Sequence, residues 1–291
     1  MEMGAEFDVV LSMVIGNVRQ IGILSLLCSV LGCQDAGQCE STSSSLFGRP
    51  SANTGLTTAQ CMPTCHTCEG NEFQASEPSV ELLTYLDTFQ LKNPPARLSS
   101  DPYLSPQSSG EIDNANFVCV AEVDTAMSQY ALSTRPIGAS LDSEHAFVTH
   151  RGPCGLCSSF EDLVVYMRNP DLTEPVRACG ALGFTDGQEA QYDCLLEIGF
   201  SEPCADIWLY NILNTRELCL AECLEYLQEP HHLPDGSLNP CIQCDEDKSG
   251  PTFKDVAGRT RRNSGLASGL CRPCESVFPL EHRYGWTSES G

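Results

Sequence analysis

Positive charge is scarce in this 291-residue chain: 16 Lys and Arg stand against 39 Asp and Glu, for a net charge of −23. Nucleic-acid binding needs clustered cations to meet phosphates, so that class is excluded. Docking on an anionic membrane surface is disfavoured for the same reason. Long apolar runs are also missing. The most apolar stretch, Ile21–Gly32, has 12 residues, and a transmembrane helix takes about 20. No transmembrane span is therefore expected. No Asn-x-Ser/Thr sequon occurs, so nothing supports N-glycosylation. Collagen-like, coiled-coil and wholly disordered readings lack the required period or apolar depletion. There is no G-x-S-x-G, no H-E-x-x-H and no dinucleotide fingerprint, which leaves serine hydrolase, zincin and NAD chemistries without support.

What the chain has in quantity is cysteine, 18 residues of it. Cysteine at this density is expected to form disulfides in an oxidising compartment. The run Ile21–Gly32, preceded by Arg19, suits the apolar region of a signal peptide, with cleavage after Gly32 and residues 1–12 an extension ahead of Met13. The protein is thus expected to be secreted, with lipid anchoring through Cys33 as the minor alternative, because Val30–Cys33 resembles a lipoprotein cleavage box. Removing Cys28 leaves 17 cysteines and one thiol over, whereas lipidation of Cys33 leaves 16, which can pair completely.

The expected organisation is a signal peptide over 1–32, a Ser/Thr-rich flexible linker over 33–60, and a small Cys-rich and helical lobe over 61–91. A Pro/Ser-rich loop over 92–116 and a main disulfide-stabilised domain over 117–291 follow. The spacing predicts a short helix within 79–90 and strands at 117–123 and 146–150. A helix over 160–168 is capped by Ser158–Ser159 and stopped by Asn169–Pro170. Further helices are expected over 189–198 and 205–227, the latter broken near Asn214, and then a turn-rich, Cys-paired tail from Pro230. The fold class is α+β, a disulfide-rich globular domain with helices dominant in the second half.

Chemistry concentrates in 150–160, His-Arg-Gly-Pro-Cys-Gly-Leu-Cys-Ser-Ser-Phe. A strand, a Gly-Pro turn and a helix start would put Cys157 near a helix N-terminus, where a thiol loses its proton more easily. His150 and Arg151 would supply a base and positive potential. Gly152, Cys154, Gly155, Cys157 and Phe160 match the nucleophile loop of papain-like cysteine proteases, which this nine-residue stretch resembles. The resemblance implies a reactive Cys157 and a disulfide-bonded Cys154. The segment departs from that family at Arg151, where a Gln is kept, and at Ser158, in place of Trp; no Asn-Ser-Trp-Gly follows His282, the one His far downstream.

Three other constellations compete. Cys241/Cys244 and Cys271/Cys274 form two C-x-x-C pairs, which read as a four-thiolate zinc site in a reducing compartment and as disulfides in an oxidising one. Asp245, Asp247, Ser249 and Gly250 match the start of a calcium loop that lacks its closing Glu, and His231–His232 near Asp235 offers a second metal candidate. Lys254, Arg259, Arg261 and Arg262 bring four cations into nine residues, to meet either an anionic ligand or acidic surface of the same chain.

Three functional readings follow. The first is a secreted enzyme acting on an anionic small molecule or peptide, with His150, Arg151 and Cys157 catalytic and Lys254, Arg259, Arg261 and Arg262 binding substrate. The second is a non-catalytic disulfide-stapled extracellular binding or structural protein. The third is a zinc- or calcium-binding module. Cofactor identity and oligomeric state are not set by the sequence.

Overall fold

A computed structural model describes residues 46–66, 72–104, 116–139, 141 and 143–285. The signal peptide, the Cys33 anchor and the linker up to residue 45 lie outside the described residues, as does the 105–115 part of the Pro/Ser-rich loop.

The described chain opens with short strands β1 (Leu46–Phe47), β2 (Cys61–Met62), β3 (Thr64–His66) and β4 (Glu72–Gln74), then helix α1 (Val80–Leu86) and strand β5 (Gln90–Leu91). Two long strands follow, β6 (Phe117–Asp124) and β7 (Gln129–Pro136), and then β8 (Ala146–Arg151). Six helices fill most of the remainder: α2 (Phe160–Arg168), α3 (Thr173–Leu182), α4 (Gln188–Ile198), α5 (Glu202–Glu225), α6 (Pro240–Lys248) and α7 (Gly250–Ala257). β9 (Arg272–Pro273) comes last. Helix and sheet are mixed, with helices dominating after residue 159.

The principal sheet has the order β5-β7-β6-β8. β6 pairs antiparallel with both long neighbours, and a register shift interrupts its pairing with β8 between Cys119 and Val120. One face of this sheet buries Ala121, Val123 and Tyr130 against α1 and α2. Few aromatics serve the core, but they are concentrated: the Phe160 ring stacks on Tyr130 at 4.0 Å and tilts against Tyr284 at 4.6 Å. The Tyr130 hydroxyl accepts the first free backbone N–H of α2, from Phe160, at 2.8 Å. A second core, including Leu172, Val176, Leu195, Phe200 and Ile207, lies among the helices.

β5 joins the principal sheet through β7 and α1 packs in the same core as α2, so the segment 61–91 is no separate lobe. The described residues fall within one compact unit. The first part of the Pro/Ser-rich loop is tied to the elements around it. Arg97 grips Asp206 of α5 through Nε (3.1 Å) and Nη2 (2.6 Å), and Asn93 exchanges hydrogen bonds with the Leu132 backbone.

All 14 cysteines among the described residues are paired. The bridges are Cys61–Cys271, Cys65–Cys274, Cys119–Cys154, Cys157–Cys204, Cys179–Cys194, Cys219–Cys244 and Cys223–Cys241. Each late C-x-x-C thus meets a C-x-x-x-C elsewhere. Cys219 and Cys223, one turn apart on α5, bridge to α6, while Cys61 and Cys65 bridge to Cys271 and Cys274. This corrects the zinc reading of Cys241, Cys244, Cys271 and Cys274, because a disulfide sulfur is no thiolate ligand. Disulfides at this density belong to an oxidising compartment. Among the described residues, no helix is long and apolar enough to cross a membrane.

The calcium reading is corrected by α6, which carries Asp245 and Asp247 through regular helix. Asp245 accepts from Asn211 (3.1 Å) and Thr215 on α5, and Asp247 accepts from Gln243 at 2.8 Å. His231 and His232 diverge: the first meets Asp171 through Nε2 at 2.9 Å, the second accepts the Cys271 N–H at 3.0 Å, and Asp235 pairs with Ser237. Among the described residues no group of His, Cys, Asp and Glu is arranged to hold a metal.

α5 runs unbroken past Asn214. That side chain turns outward to Ser249 (2.9 Å) and leaves the helix ladder alone.

Candidate functional site

The 150–160 turn is built as the sequence implies, strand into Gly-Pro turn into helix, and Ser159 caps α2 by accepting the Asp162 N–H at 3.0 Å. Its role differs from the expected one. Cys157 is fully buried and bonded to Cys204, so it is no nucleophile, and the protease-like implication for it is overturned. Cys154 is disulfide-bonded, to Cys119. His150 is fully buried with both ring nitrogens engaged. Nδ1–H donates to the Arg151 carbonyl at 3.0 Å, and Nε2 accepts from the Ser158 hydroxyl at 2.7 Å, which itself accepts the Gly155 N–H at 2.8 Å. Burial and the nearby Arg259 charge hold the imidazole well below its usual pKa. Arg151 points elsewhere, its guanidinium 5.9 Å from the Phe278 ring centroid.

Arg259 belongs to this knot and not to a ligand site. It is fully buried, and it donates to the carbonyls of Cys157 (3.1 Å), Thr149 (2.9 Å) and Ser158 (2.9 Å) and to the Thr149 hydroxyl. His282 sits beside the knot with its Nε2–H on the Ser264 carbonyl at 2.8 Å, and burial followed by the Arg259 charge takes its pKa down to about 3.

These histidines give an acid-side stability loss. The unfolded chain protonates each near 6.5 while the folded chain does not, so their contribution is full above that pH and falls as pH drops below it. Asp162 opposes them. It is buried, which pushes its carboxyl up to about 6 despite hydrogen bonds from Ser159 and Ser201, so its protonation stabilises the fold as pH falls from there toward 4. Between pH 7 and 5 the two histidines cost more than the single carboxyl returns, so stability should fall. Urea midpoints at the two pH values check this; equal or higher stability at pH 5 would contradict it.

The remaining cations of the basic segment face a different place. Arg261 donates to the Tyr166 carbonyl at 2.8 Å and to that of Asn169, closing the C-terminus of α2, and burial pulls its guanidinium down to about 10. Lys254 and Arg262 turn to Glu246 on α6, at 3.7 and 2.8 Å, and Arg272 joins them at 2.6 Å. Lys254, Arg261, Arg262 and Arg272 line one cavity of about 520 Å³, walled chiefly by α3, α5, α6 and α7. That volume is in the range of small-molecule sites.

The cavity combines two properties that rarely meet. Its wall is mostly apolar, with Val176, Ile212, Trp208, Phe253 and Leu266 among the lining residues. Phe184 and Leu224, which also line it, are 64% and 63% exposed. Yet six of the chain's 16 cations line it, Arg177 and Arg216 being the other two, against three of its 39 acids, Asp171, Asp245 and Glu246. In a chain of net charge −23 this wall is positive. Tyr166 also lines it; the Trp208 indole faces its hydroxyl, and neither group has a well-formed hydrogen-bond partner.

Of the expected substrate-binding residues, then, the cavity gathers Lys254, Arg261 and Arg262 and leaves out Arg259, together with His150, Arg151 and Cys157. Arg177, Arg216, Glu246 and Arg272 were not singled out by the sequence. The usable signal was Asn239–Pro240, a helix start that would have put Glu246 on a helix.

Residues 188–280 match the model of a family of unknown function (DUF8771). The matched stretch runs from α4 past β9 and includes Glu246, Lys254, Arg262 and Arg272, but not α3. No curated protein and no solved structure matches the chain.

Proposed function

We propose that this is an exported, disulfide-stapled binding protein whose cavity takes a small anionic molecule with a largely apolar body. The observation that carries this reading is the concentration of six cations on an apolar cavity wall in a strongly acidic chain. Anions would be drawn there electrostatically, while the apolar wall supplies affinity by removing hydrocarbon from water. Export rests on the apolar run over 21–32 together with the disulfides. Binding is favoured over catalysis because the expected acid, base and nucleophile are sealed in the 150–160 knot.

Trp208 on the cavity wall provides the test. Titration with decanoate should change its fluorescence saturably at one site per chain, and decyltrimethylammonium should bind at least about tenfold more weakly. Replacement by Trp208→Phe should remove the signal. Equal affinity for the cationic amphiphile, or no saturable response to either, would overturn the proposal.

A further inference from the structure

The head group that the cavity selects can be argued from the charge around Glu246. Its Oε1 receives Arg272 Nη2 at 2.6 Å, its Oε2 receives Arg262 Nη2 at 2.8 Å, and Lys254 Nζ stands 3.7 Å from Oε2. One carboxylate therefore faces three cations and cancels one of them. Each of the two guanidiniums gives Glu246 a single N–H, and among the described residues their other N–H groups meet no protein acceptor. Among the described residues, neighbouring Asp245 makes no ion pair with these cations. Its Oδ1 is taken by Asn211 and Thr215, and burial pushes its carboxyl up. All five residues line the cavity.

Three cations gathered on one carboxylate, two of them with unused guanidinium forks, suit a dianion better than a monoanion. A carboxylate would cancel one charge. A phosphate monoester carries about −1.5 to −2 at neutral pH and offers three acceptor oxygens. It could receive two N–H groups in parallel from an arginine fork, while Lys254 acts as a point charge.

Resting on the binding reading above, we infer that the head group is a phosphate monoester, seated against Lys254, Arg262 and Arg272 beside Glu246, with its apolar chain along the wall formed by Ile212 and Phe253. The same phosphate chemistry could arrive on a hydrocarbon chain or as free phosphate, and the structure favours the former because the wall beyond the cations is apolar.

Calorimetric titration of the full chain with decyl phosphate, decanoate, decanol and inorganic phosphate separates these cases. Decyl phosphate should bind tightest, by at least about tenfold over decanoate. Lys254→Gln and Arg262→Gln should each weaken decyl phosphate about tenfold while leaving decanol unchanged, which also reports that the variants are folded. If decanoate binds as well as decyl phosphate, the head-group inference falls and the apolar anion site stands. If inorganic phosphate binds as tightly as decyl phosphate, the phosphate site stands and the apolar-ligand reading falls. If none of the four binds, both fall.

Discussion

Replacing Arg259 by Met should cost at least about 3–5 kcal/mol and leave little folded protein, the largest effect expected of any single cation in the chain. Arg259 is fully buried and donates to three carbonyls and a hydroxyl that belong to β8 and to the turn before α2. Removing the guanidinium orphans those acceptors in a place water does not reach, and each orphan costs about 1–3 kcal/mol. Arg259→Lys should recover only part of the loss, since one ammonium cannot serve a planar fan of acceptors. Yield of correctly disulfide-bonded protein and the urea midpoint measure both variants. By contrast Arg262→Gln, at a half-buried site on the cavity, should change stability by less than about 1 kcal/mol. A well-folded Arg259→Met would mean that the 150–160 turn is not held from this side.

Gly155→Ala is the second large effect, at about 3 kcal/mol or more. A Cβ there would lie 2.5 Å from the Val256 carbonyl oxygen and 2.6 Å from Ala257 C and Gly258 N, all of them backbone. The contact is mutual, because a Cβ on Gly258 would stand 2.5 Å from Gly155 N, and Gly258 also has φ of +73°. The two glycines let the turn and the α7 exit run close enough for Leu156 N–H and Cys157 N–H to reach the Val256 and Ala257 carbonyls at 3.0 and 2.9 Å. Flexible side chains can yield to an added methyl; backbone held by disulfides on one side and helix on the other cannot. Gly250→Ala serves as the control. Its nearest neighbours would be 3.7 Å away, so it should be neutral or slightly stabilising. Thermal midpoints of the two variants should therefore move apart, and a tolerated Gly155→Ala would contradict the close approach.

The 150–160 turn shows what was legible in the sequence and what was not. Its local form was readable: Ser159 before an apolar run and Asn169–Pro170 after it bound α2 where the structure has it. Which way the turn faced was not readable, because Cys204, Thr149 and Arg259 reach it from elsewhere in the chain. α3 escaped notice because Pro175 and Gly180 interrupt its pattern, although Pro in the first turn costs a helix nothing. α6 and α7 escaped for a related reason. Asn239–Pro240 and Gly250–Pro251 read as turns, yet each Pro occupies a helix start, where its missing N–H is not needed. β7 was missed because only Tyr130 on it is deeply buried and most of its other side chains, Leu132 apart, are small or polar.

The cavity was half legible for the same physical reason. Lys254, Arg261 and Arg262 are near one another in sequence and stand out against an acidic background. Arg177, Arg216 and Arg272 come from α3, α5 and β9, and only tertiary packing of those elements brings them to one wall. The cysteines behaved alike. Their number pointed to an oxidising compartment, whereas the pairing of Cys61 and Cys65 with partners more than 200 residues away depends on the fold.

The proposed ligand would be held by the cation-lined cavity and not by the 150–160 turn. Amide hydrogen exchange on the full chain, with and without saturating decyl phosphate, tests it most directly. Added protection is expected in α6, α7 and the second half of α5, with residues 146–160 unchanged. Protection confined to 146–160, with α6 and α7 unaffected, would contradict it.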